Sequence, residues 1–165
     1  MSHITFQGTP VETIGTLPLI GTMAPDFSLT ALDLSMKSLS DFIGKKIILN
    51  IFPSVDTGTC SMSVKTFNKQ ASALDNTEIL CISRDLPFGQ KRFCDAEGIA
   101  HLHMLSEYKD SSFSDAYGLR ISTGPLTGLL SRAVIIIDEA GKIIYTEQVP
   151  EITDEPDYER AIAML

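Results

Sequence analysis

The sequence predicts an α/β fold in which parallel strands alternate with helices. Two short runs of aliphatic, β-branched residues, at 46–52 and 78–83, have the composition of strands buried on both faces. Between them, apolar residues recur at helical spacing. Strands and helices that alternate in this way are typical of a sheet covered by helices, so we expect the core to form around these two strands.

The size and charge of the chain exclude several classes of protein. Its 165 residues suffice for a core that needs no disulfide bonds, and we expect a single domain over residues 1–165. Thirteen basic against 21 acidic residues give a formal net charge of -8. This charge repels nucleic acid and anionic membranes, so we expect neither as a partner.

The N-terminus and the cysteine count favour a reducing compartment. The opening residues, MSHITFQGTPVET, contain neither the basic nor the apolar segment of an export signal. Three cysteines, an odd number, are typical of thiols kept for chemistry. We expect a cytoplasmic protein and favour a periplasmic location less.

A hairpin and a long loop are predicted before the first central strand. Residues 4–6 and 11–14 have strand composition, and Gly8-Thr9-Pro10 between them favours a turn, which indicates an N-terminal β-hairpin. Residues 15–41 are predicted to be loop-rich. They should be extended around Pro25, because proline fixes its own φ angle and biases the preceding residue away from helix.

A helix is predicted after each of the two central strands. Pro53 ends the first strand, and the next helix should begin between Thr57 and Cys60, with Asp56 or Thr57 as its cap. The second strand is followed by a predicted helix over 87–97, which Gly98 ends.

The last third of the chain is predicted to complete the sheet. Its elements are a strand over 101–105, a helix over 111–117, a hairpin over 132–137 and 142–147, and a helix over 157–165. Pro156 is expected just inside the start of the last helix. The whole order describes a thioredoxin-like fold, in which helices flank a central mixed sheet.

Cys60 stands where a reactive thiolate is expected. It falls in the first turn of the helix that follows the first central strand. Unpaired backbone N–H groups and the positive end of the helix dipole favour an ionised sulfur at that position. An inert, buried cysteine is the alternative from position alone.

The segment around Cys60 resembles a known active-site signature. Pro53, Thr57 and Cys60 form the run P-x-x-x-T-x-x-C, which is similar to the signature of peroxiredoxins, as is APDF at 24–27. Three further segments resemble the bacterial thiol peroxidases, an atypical two-cysteine group of that family: DLPFGQKRFC, LSRAVIIID and EITDEPDYE. The resemblance covers essentially the whole chain.

The resemblance implies an activity and the roles of five residues. Cys60 would be the peroxidatic cysteine and Cys94 the resolving cysteine. Thr57 and Arg132 would activate Cys60, and Pro53 would shield it. Hydrogen peroxide and alkyl hydroperoxides would be reduced to water and alcohols through a sulfenate and an intramolecular disulfide. Antioxidant defence, recycling by thioredoxin, a homodimer and the absence of a cofactor are also implied.

Peroxide chemistry gives these residues a physical rationale. Charge builds on the leaving oxygen, so the hydroxyl of Thr57 and the guanidinium of Arg132 would stabilise it. A disulfide needs Cα atoms about 4.4–6.8 Å apart, whereas Cys60 and Cys94 lie on separate predicted helices. We therefore expect both helices to unwind locally after Cys60 is oxidised.

Other interpretations of the cysteines stay open. The disulfide between Cys60 and Cys94 would stabilise the fold by roughly 3–4 kcal/mol if it were structural. A peroxide sensor or redox relay would use the same disulfide. A thioredoxin-like oxidoreductase would need a C-x-x-C pair, which the sequence lacks. Cys81, inside EILCIS, is predicted to be an inert core thiol, with a back-up resolving role as the alternative.

Several charged or ligating residues are assigned structural roles. His101 and His103 would share one face of their short strand, but no clear further ligand accompanies them, so we predict no metal site. Arg84 and Arg92 are predicted to be surface charges. The acidic stretch 151–159 is predicted to be the solvated start of the last helix.

Overall fold

A seven-stranded mixed sheet forms the centre of the protein. The computed structural model describes residues 2–165. The strands are β1 (His3–Phe6), β2 (Thr9–Glu12), β3 (Ser28–Ala31), β4 (Met36–Ser38), β5 (Lys46–Ile51), β6 (Thr77–Ser83), β7 (His103–Ser106), β8 (Ala133–Ile137) and β9 (Ile143–Gln148). The helices are α1 (Gly58–Ala71), α2 (Pro87–Glu97), α3 (Ser112–Tyr117) and α4 (Tyr158–Ile162), and a 3-10 helix spans Leu39–Phe42.

The sheet has the order β4-β3-β7-β6-β5-β8-β9. β5, β6 and β7 run parallel to one another, and the strands outside them pair antiparallel with their neighbours. β1 and β2 form a separate antiparallel hairpin. The predicted thioredoxin-like fold, with its mixed sheet flanked by helices and its N-terminal β-hairpin, is confirmed.

Both faces of the central strand β5 are buried, which explains its uniformly apolar composition. Ile47, Leu49 and Ile51 join an apolar cluster that includes Phe42 of the 3-10 helix and side chains of α3. Ile48 belongs to a second cluster that includes side chains of α1, α2 and α4. Successive residues of a strand point to opposite faces, so the two clusters lie on opposite sides of the sheet.

Helix α1 begins within the predicted window, with Thr57 at the cap position. Thr57 has extended backbone angles, with φ -99° and ψ 147°. Its hydroxyl donates to the carbonyl oxygen of Ser54 at 3.2 Å, and among the described residues it makes no capping bond to the helix. Thr57 therefore stabilises the loop between β5 and α1 rather than the N–H groups of the helix.

The long loop predicted over 15–41 contains regular structure. β3 and β4 pair as an edge hairpin, and β3 also pairs with β7. The connecting turn holds Leu34 at a positive φ of 69°, and Asp33 accepts a hydrogen bond from the backbone of Ser35 at 3.0 Å. Strands of four and three residues give too short an alternation to be recognised by composition.

The bounds of β7 and α4 also differ from the prediction. β7 begins at His103, so His101 lies outside the strand and the two histidines do not share a strand face. Helix α4 is shorter than predicted: Asp157 caps it, and Pro156 precedes the cap. After Ala163, Met164 and Leu165 continue as a tighter turn through i→i−3 hydrogen bonds.

None of the helices within residues 2–165 combines the length and the apolar character that crossing a membrane requires.

A glycine substitution is expected to reveal one close backbone contact. Gly98 and Gly118 end α2 and α3 with nearly equal positive φ angles of 67° and 66°. A Cβ at Gly118 would overlap the backbone of Thr16, whereas a Cβ at Gly98 would meet nothing within 4 Å among the described residues.

Gly118→Ala should therefore lower the free energy of unfolding by about 3 kcal/mol, and Gly98→Ala by about 1 kcal/mol. Urea denaturation followed by circular dichroism measures both values. Equal losses for the two variants would show that the contact with Thr16 is not restrictive.

Candidate active site

The candidate site lies at the carboxyl edge of the parallel strands. β5 ends at Ile51, and the chain turns there through Pro53 into α1. β8 runs antiparallel to β5 and pairs Ala133 with Ile51, so Arg132 emerges at the same edge. Loops at the carboxyl ends of parallel strands are the usual location of binding sites in open sheets. Strand register thus brings a cysteine-bearing helix and an arginine together.

Cys60 is a fully buried thiol in the first turn of α1. Its solvent exposure is 0%, and it belongs to the same apolar cluster as Phe52, Val55 and Val64. α1 begins at Gly58, so Cys60 lies among the first residues, whose N–H groups lack partners within the helix. Both the position and the N-terminal helix dipole favour an anionic sulfur.

Arg132 contacts the sulfur of Cys60 directly. Its Nη2 donates to Cys60 Sγ at 3.1 Å, and its Nε donates to the carbonyl oxygen of Ile152 at 2.7 Å. The arginine is only 2% exposed, and it forms no ion pair with a carboxylate among the described residues. A buried charge needs polar partners, and Arg132 has two of them in the sulfur of Cys60 and the carbonyl oxygen of Ile152.

A cleft of about 280 Å³ opens beside this pair. Pro53, Thr57 and Arg132 line it, and apolar walls come from Phe6, Leu126 and Ile152. The structure therefore brings together Cys60, Thr57, Arg132 and Pro53 of the five residues that the sequence indicated. The buried Nη1 of Arg132 has no hydrogen-bond partner within residues 2–165, so the guanidinium keeps unused donor capacity.

Asp85, which was not among the residues predicted from the sequence, holds the loop of residues 52–57 that precedes α1. Its carboxylate accepts hydrogen bonds from Ser54 Oγ at 2.7 Å, from the backbone N–H of Val55 at 2.9 Å and from Ser83 Oγ at 2.6 Å. The loop before α1 is thus tied to the end of β6. A carboxylate just after a buried strand that ends at this edge was the available signal.

A second support comes from the backbone of residues 152–153. The carbonyl of Ile152 orients Arg132, and the carbonyl of Thr153 accepts a hydrogen bond from Thr59 Oγ1 at 2.8 Å. The segment therefore supports both the arginine and the first turn of α1. Backbone acceptors depend on folded geometry, so no residue pattern could have indicated them.

Cys94 lies outside the cleft, on α2. It is a free, buried thiol in the same apolar cluster as Cys60. The pKa of Cys94 is raised to about 11, chiefly by burial and also by the nearby charge of Asp95, with Lys91 partly opposing the shift. In the docked helix Cys94 is consequently protonated at neutral pH.

Cys81 is also a free, buried thiol, on β6. Burial raises its pKa to about 12, although a hydrogen bond from Asn50 Nδ2 to its sulfur, at 3.5 Å, acts in the opposite direction. A neutral sulfur held inside the sheet has little nucleophilic character. These properties favour the interpretation of Cys81 as a core thiol.

Helix α2 is fixed to the sheet and to α1. Gln90, with 0% exposure, donates through Nε2 to the carbonyl oxygen of Leu105 at 3.0 Å and to Ser83 Oγ at 3.2 Å. At the surface, Lys65 on α1 pairs with Glu97 on α2 at 2.9 Å. The exposed pair adds little, whereas the buried amide bonds define the docked position of α2.

Arg84 and His103 each contact a carboxylate. Arg84, predicted to be a surface charge, is half-buried: its Nη1 donates to the carbonyl oxygen of Gly128 at 3.0 Å, and its Nε lies 3.5 Å from Glu107 Oε1. Burial raises the pKa of the Glu107 carboxyl. His103 Nε2 lies 2.9 Å from Glu78 Oε2.

Within residues 2–165, no cluster of three or more histidine, cysteine, aspartate or glutamate side chains is suited to a metal ion.

Comparisons with known proteins agree with this geometry. Residues 19–162 match the family model described as Redoxin. The chain is 50% identical over 165 residues to a thiol peroxidase of Mycobacterium tuberculosis (strain ATCC 25618 / H37Rv), with 100% of this chain and 99% of that protein covered.

Two solved structures are similar over nearly the whole chain. The crystal structure of a peroxiredoxin-like protein from Aquifex aeolicus has a TM-score of 0.93 at 32% identity, and 100% of this chain and 98% of that chain are covered. A thiol peroxidase from Chromobacterium violaceum has a TM-score of 0.91 at 21% identity, with coverage of 99% and 95%, and supports the fold alone. The chain therefore belongs to the redoxin family, as one of its bacterial thiol peroxidases.

Proposed function

We propose that the protein reduces hydrogen peroxide and organic hydroperoxides with Cys60 as the peroxidatic thiolate. The observation that carries the proposal is the 3.1 Å hydrogen bond from Arg132 Nη2 to Cys60 Sγ, made between two groups that are both buried. The positive guanidinium favours the anionic sulfur, and Arg132 also lines the adjoining cleft, from which a peroxide would approach this pair.

The first step transfers one oxygen atom to sulfur. The Cys60 thiolate attacks one peroxide oxygen, the O–O bond breaks, and its electron pair goes to the other oxygen. That oxygen takes up a proton and leaves as water or an alcohol, and Cys60 becomes a sulfenate. Arg132, whose Nη1 has no hydrogen-bond partner within residues 2–165, lines the cleft, and its guanidinium is placed to donate to the developing charge. Thr57 also lines the cleft, and its hydroxyl would donate to that charge in place of the carbonyl of Ser54.

The second step forms a disulfide between Cys60 and Cys94. Cys94 attacks the Cys60 sulfur, the S–O bond breaks, and the oxygen leaves as water. In the docked helix burial raises the pKa of Cys94 to about 11, so the thiolate is scarce. Local unwinding of α2 and of the first turn of α1 would expose Cys94, restore its ordinary acidity and bring the two sulfurs together.

Recycling and assembly are proposed from the family relationship. A dithiol protein of the thioredoxin class would reduce the disulfide and return both cysteines to thiols. The 165 residues are proposed to act as a single domain within a homodimer, in cytoplasmic antioxidant defence. The 50% identity to a thiol peroxidase over the whole chain supports this assignment.

Replacement of the cysteines tests the two-step cycle. Cys60→Ser should abolish peroxide consumption in an assay with thioredoxin, thioredoxin reductase and NADPH, because the attacking sulfur is gone. Cys94→Ser should consume one equivalent of peroxide per subunit and then stop, because its sulfenate is not resolved. Cys81→Ala serves as the control and should keep multiple turnovers. Turnover by Cys60→Ser would refute the assignment.

Replacement of the arginine tests the contact with sulfur. Arg132→Lys keeps the charge but loses the planar fork that reaches Cys60 Sγ and Ile152 O together. The second-order rate constant for oxidation of Cys60 should fall roughly 100-fold. It is measured by acid quenching, denaturation and alkylation of the unreacted thiol. The exposed Arg160→Lys is the matched control, and equal rates in both variants would contradict the role of Arg132.

Hydrogen exchange tests the unwinding. In the oxidised protein, amides of residues 61–64, which bond to the carbonyls of the first turn of α1, and of residues 90–97 should exchange at least about tenfold faster than in the reduced protein, because their helical hydrogen bonds open. Amides of β5 and β8 should be unchanged and provide the internal reference. Equal protection of α1 and α2 in the two redox states would exclude a disulfide that requires unwinding.

A further inference from the structure

The carboxylate of Glu151 joins two segments that line the active-site cleft. It accepts hydrogen bonds from Thr5 Oγ1 at 2.9 Å, from the backbone N–H of Gln7 at 3.1 Å and from that of Gly8 at 2.8 Å. It also accepts bonds from the backbone N–H and the hydroxyl of Thr153, at 2.9 and 2.8 Å. One side chain thus links the turn of the N-terminal hairpin to residues 152–153.

The turn of the hairpin is shaped to hold an anion. Gln7 and Gly8 have positive φ angles of 51° and 82°. Successive residues in such conformations aim their N–H groups into one concavity, a recognised binding arrangement for carboxylates and phosphates. Glu151 fills this concavity from within the chain and so fixes the tip of the hairpin.

The carboxylate is a permanent anion at physiological pH. The backbone hydrogen bonds from Thr153 and Gly8 lower the pKa of Glu151 to about 2. Protonation therefore does not open this connection in the pH range where the enzyme would operate.

The tip that Glu151 holds is part of the wall of the cleft. Phe6 and Gln7 line the cleft beside Thr57 and Arg132. The aromatic ring of Phe6 also packs against the small apolar cluster that includes Ile152. An organic hydroperoxide has an apolar substituent that would contact this wall, whereas hydrogen peroxide has none.

Arg132 does not depend on the carboxylate of Glu151 for its position. Its Nε bonds to the carbonyl of Ile152, and the backbone N–H of Ile152 bonds to the carbonyl of Thr5 at 2.9 Å. Ile152 is itself 2% exposed within its apolar cluster. Loss of the carboxylate would therefore release the tip of the hairpin and leave the guanidinium in place.

We propose that Glu151 is a positioning residue that determines hydroperoxide specificity, because it fixes the hairpin tip as the wall that contacts the organic substituent. The inference rests on the proposed role of Cys60 in this cleft. It assigns to Glu151 no part in the attack on the O–O bond.

Glu151→Gln tests the proposal, because the amide group places an N–H donor against backbone N–H donors. The second-order rate constant of Cys60 with cumene hydroperoxide should fall roughly tenfold, and that with hydrogen peroxide should be unchanged. Both are measured by acid quenching and alkylation of the unreacted thiol. A merely structural role would lower both rate constants equally. The proposal is therefore overturned if the rate constant for cumene hydroperoxide divided by that for hydrogen peroxide is unchanged or increased.

Two further variants test whether the effect comes from the hydrogen bonds of Glu151 rather than from its charge alone. Asp154→Asn removes the same charge from the same exposed segment and should leave the ratio unchanged. Thr5→Val removes one of the five hydrogen bonds to Glu151 and should shift the ratio in the same direction by a smaller factor. If wild-type Cys60 reacts with neither peroxide, the proposed function fails. If it reacts with both and Glu151→Gln behaves as wild type, only the role of Glu151 fails.

Discussion

A guanidinium removed from water needs acceptors for its donors, and Arg132 finds two of them in the sulfur of Cys60 and the carbonyl of Ile152. Much of the surrounding architecture can be understood from this requirement. Cys60 stands at a helix start that favours negative charge, and the segment that carries Ile152 is fastened in turn to the hairpin by backbone bonds. The buried charge is tolerated only while these elements stay assembled.

The antiparallel placement of β8 beside β5 makes this assembly possible. If the strand at that position were parallel to β5, its carboxyl end would lie at the site. The residue that precedes the strand would then lie at the opposite edge of the sheet. The register that pairs Ile51 with Ala133 instead places Arg132 level with the turn that leads to α1. Asp85 then fixes that turn to β6. Side chains from three neighbouring strand ends thus converge over a short distance.

The elements that are long, apolar and periodic were predicted from the sequence. Burial on two faces requires a run of aliphatic residues, which turns do not contain. The sequence did not predict β3 and β4, whose four and three residues are largely polar or at the sheet edge. Residue chemistry alone indicated Cys60 through its helix start. The convergence of Pro53, Thr57 and Arg132 upon it depended on the family resemblance. Ile152 was unpredictable, since its contribution is a carbonyl that every residue possesses.

The complete burial of Cys60 makes its oxidised form unstable in the packing that holds the thiol. Under the proposed mechanism, an oxygen atom added to a sulfur with 0% exposure would enter a cluster of aliphatic and aromatic side chains, where Arg132 and the N–H groups of the first turn of α1 are the polar groups near it. Unsatisfied polar atoms in such surroundings are destabilising. The proposed product would therefore weaken the packing around Cys60. Oxidation of one atom would act as an internal trigger, and release of the first turn of α1 would then need no separate sensor.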